Sequence, residues 1–323
     1  MLDNSAPSDH RPGPVLAVVM PVLNAADTIA DALDSLADLA ETVEVIIADG
    51  GSTDDTVAVA ARYPFVRVLT APGSSIYEAL NLALAAARAP VIAWLNADDR
   101  FLPGGLAAAL AVLAAEPAVD AVRGRPHFLR GDAQGWQEHD GRIEARTEGA
   151  LTLKLITRGP LAINSLVFRR ALIDRVGPFD VSLRLAADRD WMLRAWRAGA
   201  RIRELDQPLY CYRVHSGSHT LDPARRSHLR TRDEHALILR RILPEARRLP
   251  AGDPVRVELR RWHAVECALR LQAALGRGAW RDAARLCVEA ARADPAWPLV
   301  LAGQLPGLLR ARWADRMVRR MTG

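Results

Sequence analysis

Apolar positions follow two rhythms along the first 125 residues. Val15–Met20 is an unbroken apolar run ended by Pro21, the pattern of a strand buried on both faces. Asn24 stands where a helix cap belongs, with Asp27 three residues on, and Ile29, Leu33, Leu36 and Ala40 then recur at helical spacing. Val43–Ala48 repeats the buried-strand pattern, Phe65–Thr70 is a weaker strand, and Ile76–Arg88 sets Leu80 and Leu84 on one helical face. Val91–Leu95 is a fourth strand and Leu106–Ala115 a helix. Repeated β-α units of this length predict an α/β fold: a mixed, mostly parallel sheet with helices on both faces.

Residues 124–150 break the rhythm. They are polar and Gly-rich, carry Phe128, Trp136 and His139, and read as an inserted hairpin or mobile loop. Leu161–Arg169 resumes as a strand, Ala186–Ala198 as a helix, and Ile202–Leu205 and Leu209–Arg213 as two short strands. From about Asp222 the pattern is helical and Arg-rich. Gly278, Ala283, Ala290 and Pro295 fall at the spacing of one tetratricopeptide-type helix pair. A repeat array needs several units, so an ordinary helical hairpin is the preferred reading.

Composition adds limits. Half of the 323 residues are hydrophobic and a quarter charged, as in a soluble globular protein. Cys211, Cys267 and Cys287 form no CxxC pair, which suggests neither a disulfide framework nor a zinc site and fits a reducing cytoplasm. The first 14 residues lack a basic start and an apolar core, and read as a disordered leader rather than a signal peptide. No apolar stretch is long enough to cross a bilayer. Residues 225–323 hold 21 Arg against 10 acids, a balance of +11, which leaves −6 for the rest of a chain whose total is +5. A mildly acidic body argues against nucleic acid as a partner. The basic tail suits an anionic membrane surface or an acidic partner.

In open parallel sheets, ligands bind at the carboxyl ends of the strands. Three polar clusters sit there: Pro21-Val22-Leu23-Asn24, Asp49-Gly50-Gly51-Ser52-Thr53-Asp54 and Asn96-Ala97-Asp98-Asp99. In the second, the glycines form a tight turn and Ser52 or Thr53 can cap a helix, which leaves Asp49 to contact a ribose or base. No GxGxxG fingerprint is present. In the third, two adjacent acids repel unless a helix end or a cation absorbs their charge. They can cap the helix near Gly104, or hold Mg²⁺ or Mn²⁺ together with phosphate oxygens and water.

The ordered set PVLN, IIADGGSTD, SIYEALNLAL, WLNADD, AADRDWMLRAWRAG and YRVH, from about Val15 to His215, resembles glycosyltransferase family 2, inverting enzymes of the GT-A fold. The resemblance implies a catalytic domain over 15–221, with a nucleotide-binding half at 15–123 and an acceptor half at 124–221, followed by a helical region over 222–323. It implies a nucleotide-diphosphate sugar donor, with Pro21, Asn24 and Asp49 around the nucleoside and Asn81 facing the same pocket. Asn96, Ala97 and Asp98 match the DxD-type loop, Asp98 being the residue that reaches the metal, Mg²⁺ or Mn²⁺. His215 matches a His that completes the metal shell. Asp188 matches the acid expected to act as general base, and helix capping is its structural alternative. Asp190, two residues on, is expected to support Arg189, Arg194 or the helix end.

Three departures from the family pattern stand out. Asn96 replaces a frequent acid, Gly50 replaces another, and Ser74-Ser75 replaces a charged residue and Gly. Asn164 is a candidate acceptor contact, and Trp136, His139 and Trp191 are candidates for stacking on a sugar or for simple packing. Near the C-terminus, Leu309, Trp313, Met317 and Met321 form one helical stripe flanked by Arg310, Arg312, Arg316, Arg319 and Arg320. Such a helix can lie on an anionic membrane or dock on its neighbours. The expected function is a metal-dependent sugar transferase of cell-surface polysaccharide or glycolipid assembly. It would act on a glycan or lipid-linked acceptor in the cytoplasm or at the cytoplasmic face of a membrane. The alternatives are a sugar nucleotidyltransferase, which would need a Gly-rich phosphate loop that PVLN does not supply, and a non-catalytic nucleotide-sugar-binding or scaffold protein.

Overall fold

The sheet opens with β1 (Leu16–Val22). The structure, a computed structural model, describes residues 13–132, 135–138, 151–158, 163–214 and 227–303. The chain divides into two units. One holds residues 1–151 and 161–216, the other residues 152–160 and 217–323.

In the first unit, β1 is followed by α1 (Ile29–Asp34), β2 (Val43–Asp49), α2 (Thr56–Ala60), β3 (Val66–Thr70), α3 (Ile76–Ala86) and β4 (Val91–Trp94). After these come β5 (Arg100–Phe101), α4 (Gly105–Ala115), β6 (Ala121–Asp132) and β7 (Gly135–Glu138). The second unit takes α5 (Leu153–Arg158). The chain then returns to the first for β8 (Leu166–Arg169), α6 (Arg170–Val176), α7 (Ala187–Arg197) and β9 (Ile202–Val214).

The strands form one sheet in the order β3-β2-β1-β4-β8-β6-β9-β5, with β7 paired to β6. The longer ladders are parallel: β1 with β2, β1 with β4, β2 with β3, and β6 with β9. β8 runs antiparallel to both β4 and β6. This is the mixed, mostly parallel sheet that the sequence pattern predicts. β1, β2 and β4 are apolar at consecutive positions because both faces are covered. Val18, Met20, Val45, Ile47 and Ala93 pack with Ile29 and Leu33 of α1 and with Leu106 and Ala109 of α4. On alternate positions Ala17, Val19, Ile46 and Ile92 are as deeply buried, and α3 packs on β1 and β2.

One expectation changes. The segments Ile202–Leu205 and Leu209–Arg213 belong to one strand, β9, with register shifts against β6 around Arg123 to Pro126. The break in hydrophobic pattern marks that irregularity rather than a turn. At this crossing the two strands come very close: a Cβ built on Gly124 would lie 2.1 Å from Leu209 Cβ. Leu129–Asp132 of β6 pair antiparallel with Gly135–Glu138 of β7, while the rest of that insertion, including His139, lies outside the described residues, as does the leader through residue 12.

The second unit contains α5 with α8 (Ser227–Ala246), α9 (Pro254–Gly276) and α10 (Trp280–Ala293), after which residues 297–303 are helical. α9 packs against α5, α8 and α10, with Ala264, Cys267, Ala290 and Trp297 forming a small apolar core. The stripe of residues 309–321 lies outside the described residues. Among the described residues, no helix is long and apolar enough to cross a membrane.

Candidate active site

The carboxyl ends of β1, β2 and β4 lie side by side, with Val22 opposite Asp49 and Val19 opposite Trp94. Parallel strands place the three polar clusters that follow them on one edge of the sheet.

The first two clusters are stitched together. Asn24 has φ of 49°, a left-handed conformation that Asn tolerates because its side chain bonds locally. Its Oδ1 accepts the Thr53 N–H at 2.9 Å, and its own N–H donates to Ser52 Oγ at 2.9 Å. The Ala25 N–H donates to Thr56 Oγ1 at 2.7 Å, and the Ala26 N–H to Asp54 Oδ2 at 3.1 Å. Asn24 therefore fastens one loop to the next instead of capping α1, which starts behind Thr28 without a side-chain cap. Pro21 is the last but one residue of β1, paired with Ala48.

Asp49 is buried at the end of β2. Its Oδ2 accepts the Gly51 N–H at 3.2 Å and the Ser52 N–H at 3.1 Å, and its Oδ1 accepts the Ser52 hydroxyl. Much of its bonding capacity shapes the turn. Gly51 at φ of 96° supplies the backbone conformation that the turn needs.

The NADD loop is built differently. Asn96 Oδ1 accepts Trp94 Nε1–H at 2.8 Å, and Asn96 Nδ2 donates to Asp99 Oδ2 at 3.0 Å. Asp99 is 1% exposed. It also accepts the Tyr210 hydroxyl at 2.6 Å and the Arg213 N–H at 2.8 Å. Tyr210 Oη in turn accepts the Asn96 N–H at 3.3 Å and Asn164 Nδ2–H at 3.1 Å. Burial first, and the neighbouring Asp98 charge second, push the Asp99 carboxyl up to about 7, against the pull of these hydrogen bonds. Burial and the Asp99 charge also raise the Tyr210 phenol. Asp99 is thus an internal support rather than a cap of α4, whose start carries no side-chain cap. Asp98, between the two fixed residues, is only half-buried. Ala97 packs its methyl group into the hydrophobic core, so any ligand contact there falls to its backbone.

Asp188 is the second residue of α7, in the first turn, where backbone N–H groups favour a negative charge. It too is half-buried. Asp190 points elsewhere, to Arg194 Nε at 2.8 Å, and Arg194 also donates to the Val176 and Pro178 carbonyls at 2.6 and 2.8 Å. α7 is anchored by Trp191, whose Nε1–H donates to the Gly177 carbonyl at 3.0 Å. Its ring centroid lies 5.8 Å from those of both Phe168 and Phe179. At 1% exposure Trp191 has no face to offer a sugar, and the packing alternative is correct for it.

Phe179 carries the anchor across to β4, with centroids 6.0 Å from Trp94 and 5.6 Å from Tyr77. Asn81 holds Phe179 in place: Nδ2 donates to the Phe179 carbonyl and Oδ1 accepts its N–H, both at 2.9 Å. The side chain expected to face the nucleotide pocket spends these bonds on a backbone 98 residues away. Asn164, the candidate acceptor contact, is buried on Tyr210. Tyr210, Phe179 and Trp94 were not among the expected site residues. Of these only Trp94 lies inside one of the motifs, WLNADD.

Among the described residues, no group of three His, Cys, Asp or Glu side chains could enclose a metal. Asn96 is neutral and engaged on both ends, and Asp99 is buried on Tyr210 and Arg213, which makes the half-buried Asp98 the other carboxylate of this loop. That donor set fits a hard cation that keeps waters and phosphate oxygens in its shell, and not an all-protein cage. His215 lies outside the described residues, two positions beyond Arg213.

Residues 17–176 match the family described as Glycosyl transferase family 2. The chain is 32% identical over 243 residues to the succinoglycan biosynthesis protein ExoU of Rhizobium meliloti, an alignment covering 68% of this chain and 67% of that one. Two solved structures share its fold. Residues 1–349 of S. aureus TarS in complex with UDP-GlcNAc match at a TM-score of 0.59 with 20% identity, covering 76% of this chain and 70% of the other. The mannosyltransferase PcManGT from Pyrobaculum calidifontis, in complex with GDP-Man and Mn²⁺, matches at 0.55 with 22% identity, covering 90% and 86%. With its ordered motifs, its mixed sheet and these likenesses, the chain belongs to glycosyltransferase family 2, with a GT-A-type fold.

Proposed function

We propose that this enzyme transfers a sugar from a nucleotide-diphosphate sugar to an acceptor hydroxyl with inversion, in polysaccharide or glycolipid assembly. The observation that carries the reading is the convergence, in a chain of this family, of three strand-end loops on one sheet edge. Asp98 stands half-buried in one of these loops, and the family resemblance adds Asp188, half-buried in the first turn of α7.

In this reading Pro21, Asn24 and Asp49 border the nucleoside, with Asn24 and Asp49 shaping the loops that do so. Asn81 enters as the anchor of Phe179, and Asn96 and Ala97 as the frame of the diphosphate loop. Asp98, with His215, would hold Mg²⁺ or Mn²⁺ on the diphosphate. Such an ion offsets charge on a departing nucleoside diphosphate. Asp188 takes the proton from the acceptor hydroxyl as its oxygen bonds to the anomeric carbon and the bond from that carbon to the diphosphate oxygen breaks.

The acceptor is a glycan or a lipid-linked glycan, and the enzyme works in the cytoplasm or at its membrane face. The Arg-rich stripe of residues 309–321 would give that contact by binding anionic lipid. The succinoglycan role in the name of the Rhizobium relative supports the polysaccharide reading. Thermal stabilisation by UDP and by GDP, with and without Mn²⁺, tests the donor reading. Metal-dependent stabilisation by one of them is expected, and silence towards every nucleoside diphosphate would sink it. Replacing Asp98 by Ala should abolish the metal-dependent part of the shift.

A further inference from the structure

A fully buried tyrosine, a buried asparagine and a buried carboxylate, Tyr210, Asn164 and Asp99, form a polar cluster beside Asp98. The members come from three distant segments. Asn96 and Asp99 flank Asp98 after β4, Asn164 precedes β8, and Tyr210 and Arg213 belong to β9.

Tyr210 Oη is the junction. It accepts from the Asn96 N–H and from Asn164 Nδ2–H while donating to Asp99 Oδ2. A hydroxyl has one proton and two acceptor sites, so every bond it can make is used. Asp99 completes the clasp by accepting the Arg213 N–H. The residue before Asp98 but one, and the residue after it, are therefore both tied to the strand whose next residues lead to His215.

We propose that Tyr210, through Asp99 and Asn96, is a positioning residue for the metal-holding loop: it sets where Asp98 stands relative to the end of β9. Groups that orient a ligand without touching the metal change metal affinity by about 10- to 100-fold when removed. Phe at 210 keeps the ring and its edge-on packing against Phe101, at 5.5 Å between centroids, and removes only the junction. This inference rests on the reading that Asp98 serves a divalent cation.

The test is Tyr210→Phe in the full chain, read as the Mn²⁺ concentration that half-saturates the nucleotide-dependent thermal shift, with UDP or GDP as the probe. That half-saturation should rise about tenfold with metal-free nucleotide binding as in the wild type, while the melting temperature falls because Asn164 and Asn96 lose their buried acceptor. Phe101→Leu is the packing control: it should lower the melting temperature without moving the Mn²⁺ requirement. If Tyr210→Phe does not fold, Asn164→Ser replaces it, with the same direction expected. A shift below threefold in a folded variant overturns the positioning role and leaves the metal reading standing. A wild-type protein whose nucleotide response ignores Mn²⁺ overturns the metal reading itself, and this inference with it.

Discussion

Two carboxylates, Asp99 at the sheet edge and Glu258 in the helical unit, are about equally buried, yet their surroundings treat them oppositely. Glu258 on α9 accepts from Arg158 and Thr157 of α5 and from Arg261 one turn along its own helix. Burial alone would raise its carboxyl, and these hydrogen bonds outweigh burial and hold it at about 2. Asp99 has neutral donors instead: a phenol, an amide and a backbone N–H. With Asp98 beside it, its carboxyl rises to about 7. The helical unit uses charge to hold helices together, and several of its arginines meet acids within it, as in Arg232 with Glu266 and Arg260 with Asp294. The sheet edge binds these loops mainly through uncharged donors, amide, hydroxyl and backbone N–H groups.

The comparison can be broken most strongly at Asp188. Asp188→Asn should lower transfer by about 10²- to 10⁴-fold while nucleotide binding and melting temperature hold. Normal turnover by that variant would remove the base from the proposal. Glu258→Gln should do the reverse. Breaking a buried pair leaves Arg158 and Arg261 without their shared charge, at a cost of about 3 kcal/mol, read as a fall in the urea midpoint, with transfer by the folded protein unchanged. The sign with pH follows from the lowered carboxyl. Glu258 stabilises fully above its unfolded value near 4.5, and that stability is lost as pH falls towards about 2. Acid unfolding of the wild type should therefore be steep below pH 4.5 and shallower in the Gln variant. Gly124→Ala comes next. Its Cβ would meet Leu209, which has little room to move between β6 and β9, so a loss of about 1–3 kcal/mol is expected.

The parts of this molecule that were legible in the sequence are those set by short-range pattern. β1, β2 and β4 announce themselves because a strand covered on both faces must be apolar at every position. The three polar clusters could be assigned to one edge because parallel strands end together. What stayed hidden depends on partners far along the chain. Asn81 meets Phe179 across 98 residues, and Asp99 meets Tyr210 across 111. No period or spacing carries such pairs. α5 is a further case: six residues of ordinary amphipathic character, whose assignment to the helical unit follows from a Glu about a hundred positions later. Asn24 looked like a helix cap because its residue type suits that role, and the structure uses the same side-chain chemistry to fasten two loops instead.

The smallest expected effect is the most direct check on the difference between the two acids. A carboxyl raised in the folded state binds its proton more tightly there than in the unfolded chain. Its contribution to stability is therefore complete below the unfolded value near 3.8 and is lost as pH rises through about 7. Glu258 is fully ionised across that range and contributes no slope there. In metal-free buffer, wild-type stability should accordingly decline between pH 6 and 8, by no more than about 1.4 kcal/mol per pH unit for one proton. Asp99→Asn should flatten that decline, while Glu258→Gln should leave it in place on a lower baseline. Equal slopes in wild type and Asp99→Asn would mean that Asp99 stays ionised in its neutral surroundings. The distinction between a charge-bound helical unit and a neutrally bound sheet edge would then fail at its central residue.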